Sequence, residues 1–115
     1  MKKIILFCFV FLLLSTTNKE EIIGYWELYK IEKLSIHKTK EKRSKFIKFY
    51  ENGKLEGGRI GEDVRNTGTW KIKQNVLIIS GGVSDSGDYN IELLTKDQLI
   101  LFKDSVRIHL DRGIQ

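Results

Sequence analysis

From Gly24 onward the chain is a succession of short stretches, each cut off by a turn signal; in most of them apolar residues alternate with polar ones, and 76–80 is apolar on both faces. That period of two places alternate side chains on opposite faces of an extended strand, and it leaves no room for the 3.6-residue period of a long helix. The stretches are 24–36, 46–50, 54–60, 66–73, 76–80, 88–94, 99–102 and 106–110, eight in all. The first is expected to bend or bulge near Tyr29-Lys30, where its alternation slips. Asn52-Gly53 separates the second from the third, and Asn-Gly between two strands is the strongest short hairpin signal because both residues tolerate positive φ. Gly57-Gly58 inside the third marks an expected bulge or sharp bend. In 88–94 the alternation assigns Tyr89, Ile91 and Leu93 to one face.

Two of these stretches share one phrase. Gly24-Tyr25-Trp26-Glu27-Leu28 and Gly68-Thr69-Trp70-Lys71-Ile72 each put a Trp and an aliphatic residue on one strand face. A Trp can bury on the order of 200 Å², so Trp26 and Trp70 are expected to anchor the core. Consecutive hairpins with no long crossover form a meander, and eight strands suffice to close it into an all-β, antiparallel up-and-down barrel without exposed edges. A two-layer β-sandwich is the alternative architecture.

The beginning of the chain reads differently. Lys2 and Lys3 precede an apolar run from Ile4 to Leu14, followed by Ser15-Thr16-Thr17. A basic end, a short apolar core and small residues describe a signal peptide over 1–17, with the barrel domain over 18–115. The run is too short for a membrane-spanning helix, which takes roughly 20 residues. The expected location is therefore extracytoplasmic, secreted or periplasmic, with no transmembrane helix in the mature protein. The single cysteine, Cys8, lies inside the apolar run without the small residues a lipid-attachment site requires. The mature domain accordingly has no disulfide, no thiolate metal site and no cysteine nucleophile.

Charge is uneven. Between Lys30 and Lys48 there are eight Lys or Arg against two acids. The part of this segment over 37–44 has no apolar residue and reads as a solvated loop. Lys38, Lys40, Lys42 and Arg43 are its candidate contacts for an anionic envelope surface. Nucleic acid is not an expected partner, because no Phe, Tyr or Trp is interleaved with these cations. A monomer is expected.

Little in the sequence points to catalysis. His37 and His109 lack a third ligand in any metal spacing. His109 and Asp111 share a strand face, as a base and its orienting acid would, but no nucleophile accompanies them. Asp85-Ser86-Gly87-Asp88 lacks the order of a calcium loop, and turn chemistry accounts for it. No serine elbow or phosphate-binding glycine loop is present. The expectation is a non-enzyme with no cofactor and no metal.

Gly24-x-Trp26 at the first strand, Phe49 and Gly53 flanking the first tight hairpin, Gly68-x-Trp70, and Leu94-Thr95-Lys96-Asp97-Gln98-Leu99 together resemble the lipocalin family and its calycin relatives. The resemblance is to compact bacterial lipocalin-like domains and runs from about Ile22 to the end. It implies that the opening Trp sits at the closed end of the barrel under a late arginine, for which Arg107 and Arg112 are candidates. It also implies a small apolar ligand inside the barrel, with Trp26, Phe49, Trp70 and Tyr89 as interior contacts. Segments 37–44 and 81–87 would then form the rim. The chain departs from full-length lipocalins in lacking their terminal helix and their disulfides. A barrel of this size is either just filled by side chains or holds one small ligand. Two Trp on short strands favour a filled interior, leaving a solid-core interaction module as the alternative function.

Overall fold

The computed structural model describes residues 19–82 and 86–113. The leader expected over 1–17, with Cys8, lies outside them. A single turn of helix, α1 (Lys19–Ile22), leads into β1 (Gly24–Lys33) and a 3-10 turn, Leu34–Ile36. There follow β2 (Lys38–Phe49), β3 (Lys54–Arg59), β4 (Asn66–Lys73), β5 (Val76–Gly81), β6 (Gly87–Leu94), β7 (Gln98–Lys103) and β8 (Val106–Asp111). Each strand pairs antiparallel with the next, and β8 returns to β1, closing the barrel. The all-β barrel is thus the observed architecture, and the sandwich is not.

The closed end is built by the residues with the most apolar surface to bury. Trp26, Phe49, Leu77, Leu99 and Leu110 are essentially without solvent contact, and Ile22 of α1 is pressed in among them. The buried indole N–H groups find backbone partners, as burial of a polar group demands. Trp26 Nε1 donates to the Ile22 carbonyl at 2.7 Å, and Trp70 Nε1 to the Tyr50 carbonyl at 2.9 Å. Phe49 and Trp70 meet edge to face, ring centres 5.3 Å apart.

Local expectations fared unevenly. The irregularity at Tyr29 is a bulge seen in both pairings of β1, between Leu28 and Lys30. The 50–53 hairpin is tight, but only Gly53 takes positive φ, +89°. Its N–H returns to the Tyr50 carbonyl at 3.1 Å, while Asn52 accepts from the Lys54 N–H through its side chain.

Three readings need correction. Residues 38–44 are strand, not loop, and the preceding 34–36 is a 3-10 turn that His37 reverses at φ 52°. The cations do not prevent this, because the pairing uses backbone groups: Lys30 opposes Glu41, Ile31 opposes Lys40 and Glu32 opposes Thr39. Gly57-Gly58 is not a bulge, since β3 keeps register with β2 through both residues. Instead, β3 parts from β4 beyond Gly57. Leu93 points outward, because the register with β7 slips between Ile91 and Leu93 and reverses the alternation, so that Leu94 packs against the core.

Candidate functional site

At the end opposite the two Trp the interior is open. A cavity of about 310 Å³ lies there, within the range of small-ligand sites. Leu28, Ile31, Ile47, Leu55, Ile79, Leu101, Ile108 and Leu110 supply an apolar wall, and Phe46 and Tyr89 are the aromatic residues of the lining. The interior is therefore not the solid core that two Trp on short strands favour. Both indoles sit at the closed end, which leaves the other end to aliphatic side chains too short to meet across it.

Of the four interior contacts expected for a ligand, the structure places Tyr89 on the cavity wall. Trp26, Phe49 and Trp70 belong to the packed floor. Alternation identifies which face a side chain occupies, but not which end of the barrel it reaches. The mouth also differs from expectation. Its polar lining comes from Lys45 on β2, Arg59 at the end of β3, and Arg65 and Asn66 at the entry to β4. No described residue of 37–44 or 81–87 lines it, and 83–85 lie outside the described residues.

Gly57 and Gly58 shape this mouth. A Cβ on Gly58 would stand 2.9 Å from the Asp63 carbonyl oxygen and 3.1 Å from the Phe46 ring, so the 60–65 turn closes against bare backbone. The Gly-Gly pair was the sequence signal for this approach.

Lys38, Lys40 and Lys42 are exposed as a contact surface requires, but Arg43, on the outer face, is not free. It donates to Glu27 at 2.8 Å and to both oxygens of Asp111 at 2.6 and 2.9 Å, fastening β2 across β1 to β8 at the seam of the barrel. Glu27, 6% exposed, also accepts from the Tyr25 hydroxyl at 2.7 Å. Burial and the adjacent Glu27 carboxylate push the Tyr25 phenol up to about 12. The Arg43 hydrogen bonds hold the Asp111 carboxyl below its usual range, and those of Asp111 and Glu27 raise the Arg43 guanidinium.

His109 and Asp111 do not form a pair. His109 is bonded to Glu32, Asp111 to Arg43. Arg107 joins the same outer row, donating to Glu92 at 2.6 Å, and the hydrogen bond from His109 lowers Glu32 below the usual carboxylate range. Among the described residues no group of three His, Cys, Asp or Glu is placed to hold a metal ion, and no helix is long and apolar enough to cross a membrane.

Of the two arginines considered for the opening Trp, Arg112 is the one that covers it. Its guanidinium stands 3.6 Å from the centre of the Trp26 ring and donates to the carbonyls of Glu21, Ile23, Tyr25 and Lys96.

This barrel, with its floor of aromatic residues, its capping arginine and its single open end, is that of a lipocalin-like domain. Residues 22–101 match the family model of the lipocalin-like domain, and the chain belongs to that family. Two solved structures are similar in fold. A lipocalin-like protein from Bacteroides uniformis is 14% identical, with a TM-score of 0.67 over 81% of this chain and 99% of the other. An uncharacterized protein from Bacteroides eggerthii is 15% identical, with a TM-score of 0.68 over 80% of this chain and 99% of the other. The search of curated proteins returned no match.

Proposed function

We propose that this domain binds a small apolar ligand in its open-ended cavity and carries out no chemistry on it. The observation that carries this reading is the cavity itself: about 310 Å³ walled by aliphatic side chains, in a barrel whose other end is fully packed. Such a space gains free energy when hydrocarbon replaces water, at about 25 cal/mol for each Å² of apolar surface removed from solvent. The binding takes place outside the cytoplasm, a location supported by the leader-like 1–17 segment.

The test is displacement of the neutral fluorophore Nile red by dodecanol. Saturable displacement is expected from the unaltered protein. It is lost in Ile108→Trp, where an indole projects into the cavity. Absence of saturable binding by either molecule overturns the reading.

A further inference from the structure

We propose that the open end of the barrel docks on an anionic lipid bilayer, with Leu34, Ile36 and Val64 entering the headgroup layer and the lysines around the 34–36 turn meeting lipid phosphates. The contact concerns the outside of the protein and stands whether or not the cavity holds a ligand. Three observations carry it.

The first is where the exposed apolar surface lies. Among the described residues four large apolar side chains are exposed: Leu34, Ile36, Val64 and Leu93, with Ile36 the most exposed at 55%. Alternate turns of an up-and-down barrel share one end, so the β1–β2, β3–β4 and β7–β8 turns lie together. That end is the open one, because Arg59 and Asn66, which bracket the β3–β4 turn, line the mouth. Leu34 and Ile36 stand in the first of these turns and Val64 in the second, whereas Leu93 sits beside the β6–β7 turn at the closed end. Exposed apolar residues scattered singly are ordinary, but three at one end mark a contact surface. A planar partner needs them at one end only, not touching one another.

The second is that the 34–36 turn is held in shape. The Leu34 N–H donates to the Ser105 carbonyl of the β7–β8 turn at 2.9 Å, and the His37 N–H donates to the Leu34 carbonyl at 3.3 Å. Leu34 and Ile36 are thus presented to water by a bonded turn, and covering them with an apolar layer recovers free energy.

The third is charge. Every residue from 33 to 42 is exposed, and the stretch holds Lys33, Lys38, Lys40 and Lys42 against a single acid, Glu41. Glu41 stands 4.0 Å from Lys30, and none of the four lysines forms an ion pair among the described residues. Lys33 and Lys38 are directly opposed across the hairpin, where like charges repel and lipid phosphates relieve the repulsion. The other two turns are balanced: Glu62 and Asp63 lie between Arg59 and Arg65, and Asp104 follows Lys103. The excess positive charge therefore lies beside Leu34 and Ile36. Buried apolar area and attraction to anionic lipid add in interfacial binding, and each lysine near such a surface is worth about fivefold in partitioning.

Vesicles of phosphatidylcholine, with and without phosphatidylglycerol, are sedimented with the protein purified as its cells process it, so that all variants share one N-terminus. Partitioning onto the anionic vesicles is expected to be stronger by on the order of a hundredfold, and the preference shrinks at high salt. Lys38→Gln/Lys40→Gln/Lys42→Gln lowers the anionic partition by on the order of a hundredfold, and Leu34→Ser/Ile36→Ser by about tenfold. All five residues are exposed and none lines the cavity, so Tm and the displacement of Nile red by dodecanol stay as in the unaltered protein. The site of contact is read from Ile36→Trp, whose emission, taken as the difference from the unaltered protein, shifts to the blue on anionic vesicles. Trp26 and Trp70 are buried and add no shift of their own. Equal partitioning onto both kinds of vesicle, or onto neither, overturns the inference. So does undiminished binding by either multiple variant, or an Ile36→Trp emission that stays in place. None of these outcomes touches the apolar-binding reading, and failure of Nile red to bind leaves the docking surface standing.

Discussion

The Arg112 guanidinium lies 3.6 Å above the Trp26 ring, and its nitrogens reach the carbonyls of Glu21, Ile23, Tyr25 and Lys96. One side chain thus joins the segment after β8 to α1, to the start of β1 and to the β6–β7 turn. Burial lowers the guanidinium pKa, so the charge is held there by the ring face and the ring of carbonyl dipoles.

Arg112→Lys keeps a cation but loses the planar fork, which a lysine cannot replace. We expect a loss of about 2 kcal/mol, summed from a desolvated cation–π contact and the stranded carbonyls. For a domain of this size that is a fall in Tm of roughly 8–15 °C. Thermal unfolding followed by circular dichroism checks it. A change within 2 °C, an interval of about half a kcal/mol, contradicts the clamp.

The seam bonds give stability a defined pH dependence. Arg43 depresses the folded carboxyl of Asp111 below the value of about 3.9 it regains on unfolding. The unfolded state therefore binds more protons in that interval, and stability falls as pH drops. The contribution is complete above about pH 5 and is lost progressively as pH falls through 3.9 to the folded value. Asp111→Asn is expected to cost about 1–2 kcal/mol at pH 7. The gap between the two proteins should close on acidification, as read by urea unfolding from pH 7 to pH 3. A gap that stays constant contradicts the role given to this pair.

Gly58→Ala tests how the mouth is shaped. The added methyl meets a main-chain oxygen at 2.9 Å as well as the Phe46 ring, and main chain does not move aside as a flexible side chain would. Overpacking of this kind costs typically 1–3 kcal/mol. We expect a loss in that range by urea unfolding, together with weaker Nile red binding, because the 60–65 turn must shift. An unchanged midpoint contradicts the close approach.

Most of the architecture was legible because it is local. The period of two, the turn residues between strands and the slip at Tyr29 are properties of neighbouring residues, and each reappears as a strand, a turn or a bulge. What was missed depends on partners distant in sequence. The cationic 38–43 segment became a strand because β1 lends it backbone groups, which no count of apolar residues can reveal. Leu93 left the core because β6 slips by one residue against β7. Arg43 looked like a free surface charge until the register brought Glu27 and Asp111 beside it. The cavity was hidden for the same reason. Which of the inward residues fill the floor and which line the opening depends on how far each strand extends along the barrel.

The open end of this barrel is proposed to hold a hydrophobic ligand. Native mass spectrometry of the protein purified from its expressing cells without detergent tests it most directly. A one-to-one adduct of a small organic molecule is expected. Stripped protein takes up one dodecanol, and neither adduct forms in Ile108→Trp. A bare mass that remains bare after dodecanol is added would contradict it.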